Sequence, residues 1–216
     1  MTASIATNRG YVIGVDFDNT IVTYDDLLFA CAVQRGLIPP AAQKSKKNVR
    51  DQVRLLPGGE IEWQKLQALV YGPRIGDARL SEGVRTFFGL CKVNGAKVYI
   101  VSHKTELASY DETRTNLRTA ALGWMVTNKF FQTEGLGLSR EDVFFCATRQ
   151  EKIQLIEQLG CTHFIDDLEE TFLEETFPPN VEKTLYAPHR QGVVLPGVRV
   201  VSTWREISEY LFGANR

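Results

Sequence analysis

Asp16 and Asp18 close the apolar run Tyr11-Val12-Ile13-Gly14-Val15, with Phe17 between them and the small polar pair Asn19-Thr20 after them. The run reads as a buried parallel strand. Proteins that alternate strands and helices place their chemistry at the C-terminal edge of such strands. Two carboxylates there repel each other unless a cation or a shared proton relieves them. The pair is unfavourable for stability and therefore suggests a site. The bland reading is that both acids serve a turn, because Asp is common after strands.

Other chemistry-bearing residues fall at comparable positions. Lys97 to Val101 reads as a second strand, closed by Ser102-His103-Lys104-Thr105. Val143 to Cys146 is a third. Thr148-Arg149-Gln150-Glu151 after it has capping-box spacing, which puts Lys152 in the first turn of the next helix. Thr162 to Asp166 is a fourth strand, with Asp167 directly following. In a parallel sheet these ends converge in space. Three or four carboxylates at one edge make a hard, oxygen-rich pocket that suits Mg²⁺. Ser102 adds a hydroxyl and a backbone N–H. A lysine and a divalent ion together can neutralise a phosphoryl group and the charge of an attacking carboxylate.

The elements that must position these residues alternate between periods of two and 3.6. Weaker strand candidates are Thr184 to Ala187 and Val198 to Val201, and a last helix begins near Thr203. This order implies an α/β fold, a doubly wound, mostly parallel Rossmann-like sheet. Residues 11–20 and 81–216 form its core. Residues 21–80 show no strong strand signal and read as an inserted helical domain of roughly sixty residues, a plausible size for a small domain. Its helices are expected to open at Thr23-Tyr24-Asp25-Asp26, to run over 41–56, and to carry Trp63, Leu66 and Val70 on one face. Ser109-Tyr110-Asp111-Glu112 is expected to open the helix that carries Leu117, Ala120, Ala121 and Trp124.

The chain has 216 residues, 44% hydrophobic and 24% charged, enough for one sizeable core with an accessory domain. A net charge of -1 gives no global attraction to nucleic acid or membrane. No run of about 18 apolar residues predicts a spanning helix. Residues 1–10 read as a flexible tail without the apolar stretch of a signal peptide. Cys31, Cys91, Cys146 and Cys161 are far apart and form no CxxC pair, which favours reduced, buried thiols and a cytoplasmic setting. Residues 41–79 hold eight Lys/Arg against four acids, either a solvated face or an anion-attracting lid. His163 reads as a satisfied core histidine and His189 as a surface loop residue.

Taken together, Asp16-Phe17-Asp18-Asn19-Thr20, Val101-Ser102, Lys152 and Phe164-Ile165-Asp166-Asp167 resemble, in order, the four motifs of the haloacid dehalogenase (HAD) superfamily. The resemblance spans roughly residues 11–171. It implies that Asp16 is a nucleophile forming an aspartyl-phosphate. Asp18 would act as general acid, then base. Lys152 would hold the nucleophile and the phosphoryl group. Asn19, Thr20, Ser102 and the His103 N–H would bind phosphate. Asp16, the Asp18 carbonyl, Asp166 and Asp167 would hold Mg²⁺, with Asp166 the favoured direct ligand because it ends its strand. Dehalogenases need no acid at the second position, so Asp18 points to a phosphatase. The fourth motif departs from the common Gly-Asp-x-x-x-Asp and reads Asp-Asp-Leu-Glu-Glu, which leaves the exact ligand open.

The implied activity is a Mg²⁺-dependent phosphomonoesterase acting on a small phosphorylated metabolite, a sugar phosphate or a nucleotide. A helical cap over the site would exclude folded proteins. A phosphotransferase or mutase with the same nucleophile is one alternative, and a phosphatase that processes nucleic-acid ends is another. Neither a membrane nor a nucleic acid is the expected partner, and the oligomeric state is open.

Overall fold

The computed structural model describes residues 10–111, 113–189, 192 and 194–213. Residues 1–9, most of the expected tail, lie outside the described residues, as does Glu112 of the expected helix-opening box.

The apolar runs assemble one six-stranded parallel sheet. Its strands are β1 (Val12–Val15), β4 (Lys97–His103), β5 (Val143–Cys146), β6 (His163–Asp166), β7 (Glu182–Tyr186) and β8 (Val198–Val201). Their spatial order is β5-β4-β1-β6-β7-β8. β1 lies at the centre, with Gly14 opposite Tyr99 of β4 and Phe164 of β6. The chain therefore reverses direction across the sheet beside β1, the place where such folds put ligands.

Period-two alternation sorts the strand residues onto two faces. Ile13, Val15, Val98, Ile100 and Ile165 pack with Phe87, Trp124 and Trp204 of α4 (Val84–Val93), α5 (Leu117–Thr127) and α8 (Trp204–Phe212). Val101, Phe164 and Leu185 pack with Ile153 and Ile156 of α6 (Arg149–Gln158) and with Phe172 of α7 (Glu169–Leu173). Gly14 belongs to the second face because a Cβ there would stand 2.5 Å from the Phe164 ring. Continuing the alternation past β1 turns Asp16 toward α6 and Phe17 toward Trp124, whose ring lies edge-on 5.6 Å away.

Between Val22–Thr23 (β2) and Arg79–Leu80 (β3), which pair antiparallel, three helices pack on one another. They are α1 (Asp25–Gln34), α2 (Lys46–Arg54) and α3 (Gly59–Tyr71). The two short strands are absent from the sequence reading because two residues carry no periodicity. Three helix starts also differ. α1 opens at Tyr24 with no side-chain cap. Asp26, the acid of the expected capping box, instead pairs with Arg79 at 3.2 Å, and its neighbour Asp25 accepts from the Lys46 N–H at 2.5 Å. α2 begins five residues later than expected, where Ser45 accepts from the Asn48 N–H. α5 begins at Leu117 behind an Asn116 cap, not at Ser109. Asp111 instead folds the preceding loop on itself, accepting from the Thr113 and Thr115 N–H groups. Thr148 caps α6 as expected, accepting from the Glu151 N–H, while Glu151 Oε2 accepts from the Ala147 N–H one residue before the cap.

All four cysteines are free and buried. His163 packs edge-on between Tyr11 and Tyr210. No helix among the described residues is long and apolar enough to cross a membrane.

Candidate active site

Three strand ends and one helix start bring the charged residues together. Lys152 sits in the first turn of α6, whose start is fixed by the Thr148 cap. Its side chain is 1% exposed, and Nζ donates to Asp16 Oδ1 and to Asp166 Oδ2, each at 2.7 Å. Burial opposes the lysine charge, yet the two carboxylates raise its pKa above the ordinary value. The second Asp166 oxygen accepts the Leu168 N–H at 3.0 Å. Both Asp166 oxygens are thus tied to the protein.

Asp167 is held differently. Among the described residues its one polar contact is Lys46 of α2, 3.9 Å away. Single carboxylate oxygens of Asp16, Asp166 and Asp167 lie within 4.8 Å of one another. Burial, helped by the neighbouring acids, pushes Asp16 up to about 6 and Asp167 up to about 8. Three carboxylates so close, with one lysine between two of them, fit a hard divalent cation, which would relieve the repulsion that now favours protons.

This arrangement predicts a specific pH dependence. A carboxyl whose folded pKa lies above its unfolded value stabilises the fold at low pH, and that stability is lost as pH rises through the folded pKa. In EDTA, the protein should therefore melt at a lower temperature at pH 8 than Asp167→Asn, and the gap should narrow as pH falls and close at about pH 4, the ordinary value for an aspartate. A benefit of about 2 kcal/mol at pH 8 corresponds to a rise of about 4–8 °C for a chain of this size. Mg²⁺ should raise the melting temperature of the wild-type protein more than that of the variant. Equal EDTA melting temperatures at pH 8 would show that Asp167 is not under strain.

The phosphate-binding candidates divide. The hydroxyls of Ser102 and Thr20 are buried and have no partner among the described residues. A buried hydroxyl without a partner costs about 1–3 kcal/mol, and a ligand that supplies acceptors would relieve it. Asn19 holds φ at 61°, a left-handed backbone that Asn tolerates better than most residues. His103 is exposed, and its Nε2 lies 3.1 Å from the Ala147 carbonyl, so its ring serves the neighbouring loop. Asp18 Oδ1 accepts from the Tyr24 hydroxyl at 2.6 Å, and its Oδ2 pairs with Lys104 Nζ at 2.7 Å. The sequence reading missed both partners. A tyrosine at a helix start and a lysine after a strand carry no signal of their own.

A cavity of about 370 Å³ adjoins the acidic cluster. Asn19 and Asp167 line one side, Lys46 and Asn48 of α2 another, and His189 a third. His189 contacts Asp25 at 2.7 Å, which ties the loop after β7 to the helical insertion. The basic residues of the insertion are largely neutralised by its own acids. Lys47 and Arg50 pair with Asp51, Arg54 with Glu60, Lys65 with Glu62, and Arg74 with Asp77. That pairing argues for a solvated face over an anion-attracting lid; the exceptions are Lys46, which faces Asp167, and Lys44, which lies over the Phe29 ring.

No protein-family model matches the sequence, and no curated protein does. Solved structures do match in fold. A haloacid dehalogenase-like family hydrolase of Streptococcus pneumoniae superposes with a TM-score of 0.60 at 13% identity, over 93% of this chain and 98% of that one. A family IA HAD hydrolase of Entamoeba histolytica gives 0.55 at 10% identity, covering 91% and 94%. The magnesium-bound HAD-hydrolase YfnB of Bacillus subtilis gives 0.53 at 12% identity, covering 94% and 99%. The chain has the haloacid dehalogenase-like fold.

Proposed function

We propose that this protein is a Mg²⁺-dependent phosphomonoesterase that works through a covalent phosphoryl group on Asp16. The observation that carries the reading is the buried Lys152 bridging Asp16 and Asp166, beside an Asp167 whose one polar contact among the described residues is a lysine 3.9 Å away. In this reading Lys152 keeps the Asp16 carboxylate ionised and aims it. The free Asp16 oxygen attacks phosphorus, and the bond to the leaving oxygen breaks. Asp18 delivers a proton to that oxygen, then takes one from the water that hydrolyses the acyl phosphate. Ser102 and Thr20 donate their unpartnered hydroxyls to the phosphoryl oxygens. Asp16 and Asp167, with Asp166 and the Asp18 carbonyl, would hold Mg²⁺, which supplies charge neutralisation at the phosphoryl group. A magnesium-bound neighbour in fold supports that choice of metal.

The helical insertion serves here as a cap. The cavity it shares with the core lies at the small end of the range for small-molecule sites, which suits a phosphorylated metabolite such as a sugar phosphate or a nucleotide. Transfer of the phosphoryl group to an acceptor other than water would use the same residues. The buried free thiols fit a reducing compartment such as the cytoplasm.

The test is phosphate release by purified protein from an aryl phosphate, hexose phosphates and nucleoside monophosphates, with Mg²⁺ or with EDTA. Release that EDTA abolishes is expected from at least one ester. No release from any, or release indifferent to EDTA, would overturn the proposal.

A further inference from the structure

We infer that Lys104, together with Tyr24, is a positioning residue for Asp18, and that it ties this acid to both ends of the three-helix insertion. The inference rests on the phosphomonoesterase reading above.

Lys104 lies just beyond β4, two residues after Ser102. Its backbone is clamped on both sides: its N–H donates to the Cys146 carbonyl at 2.9 Å, and its carbonyl accepts from Arg118 Nε at 2.9 Å. Its side chain is 2% exposed. The ammonium sits 5.7 Å from the Phe17 ring centre and 5.5 Å from that of Tyr71, and its one carboxylate partner among the described residues is Asp18. With the Tyr24 hydroxyl on the other oxygen, each oxygen of Asp18 has its own donor. Two donors from different elements leave the carboxylate one orientation.

The same residues stand at the first and last ends of the three helices. Tyr24 immediately precedes α1, where the chain leaves the sheet. Tyr71 ends α3, the last of the three helices before the chain runs back to β3. Their rings pack edge-on with centres 4.6 Å apart. A shift of the insertion would therefore move the Tyr24 hydroxyl and the wall around Lys104 together. Stability alone gives a weak reason for this arrangement. A buried ion pair between two such charges is often no better than apolar residues of equal volume. A proton-delivering group has a strong reason, because a misplacement of about 1 Å can lower a rate about 100-fold.

Proton delivery matters most when the leaving group is a poor one. That sets the test, run on the full-length protein with Mg²⁺. Lys104→Met should lower kcat about 10- to 100-fold on an alkyl phosphate and about tenfold less on an aryl phosphate with an acidic phenol. On the alkyl ester the double variant Lys104→Met/Asp18→Asn should be no slower than Asp18→Asn alone. Tyr24→Phe should shift the leaving-group dependence in the same direction by a smaller factor. Equal losses on both esters, or losses that multiply in the double variant, would overturn the inference. If Lys104→Met does not fold, an unchanged leaving-group dependence in Tyr24→Phe overturns it. A wild-type protein inactive on both esters would instead sink the underlying phosphomonoesterase reading.

Discussion

Asp16→Asn should remove Mg²⁺-dependent phosphate release while the fold survives. The residue is 5% exposed, and one of its oxygens accepts from Lys152. An amide retains the shape and that acceptor but cannot form an acyl phosphate. Loss of a covalent nucleophile in an otherwise intact site lowers kcat by about 10⁴-fold or more. The fold has little reason to suffer. Asp16 is one of three crowded acids, and removing a charge there relieves repulsion from Asp166. Circular dichroism and thermal melting should match or exceed the wild type. A variant that releases phosphate at the wild-type rate would remove Asp16 from the mechanism.

Lys152→Met should damage both stability and turnover. The methionine side chain fills most of the space, but Asp16 and Asp166 lose their shared cation in a site where neither can reach water easily. Breaking a buried ion pair by removing one partner costs about 3–5 kcal/mol. The cost should depend on pH in a definite direction. Burial already pushes Asp16 up to about 6, and loss of the lysine pushes it further, so the variant binds a proton there more readily than the wild type does. Protonation relieves the unpaired charge. The melting-temperature deficit of Lys152→Met should therefore be larger at pH 8 than at pH 5.5, measured in EDTA. Its kcat should fall by about 10³-fold or more, because the nucleophile is neither aimed nor kept ionised. A deficit that does not change between the two pH values would show that Lys152 is not the charge that compensates these carboxylates.

The sheet and the charged cluster were legible in the sequence for the same reason. Runs such as Tyr11 to Val15 and Phe164 to Ile165 are buried on both faces, so they leave an uninterrupted apolar signal, and acids at their ends stand out. Lys152 was legible because the Thr148–Glu151 cap fixes where its helix begins. Strand order was not, since nothing local distinguishes β4 from β6 as neighbours of β1. The start of α5 was misread because Asp111 satisfies its own loop, and a capping box looks the same in sequence whether or not it is used. Lys104 and Tyr24 stayed hidden for a deeper reason. Their meaning lies entirely in Asp18, which they reach only after the sheet has formed and the insertion has packed against it.

The central claim is that Asp16 carries a phosphoryl group during turnover. The direct measurement is mass spectrometry of protein quenched in acid during turnover of an aryl phosphate with Mg²⁺, followed by mapping of the modified peptide. The account predicts a single added phosphoryl group on the peptide that contains Asp16, absent in EDTA and absent in Asp16→Asn. Phosphate release with no phosphorylated peptide in wild-type protein, or a phosphoryl group on another residue, would contradict it.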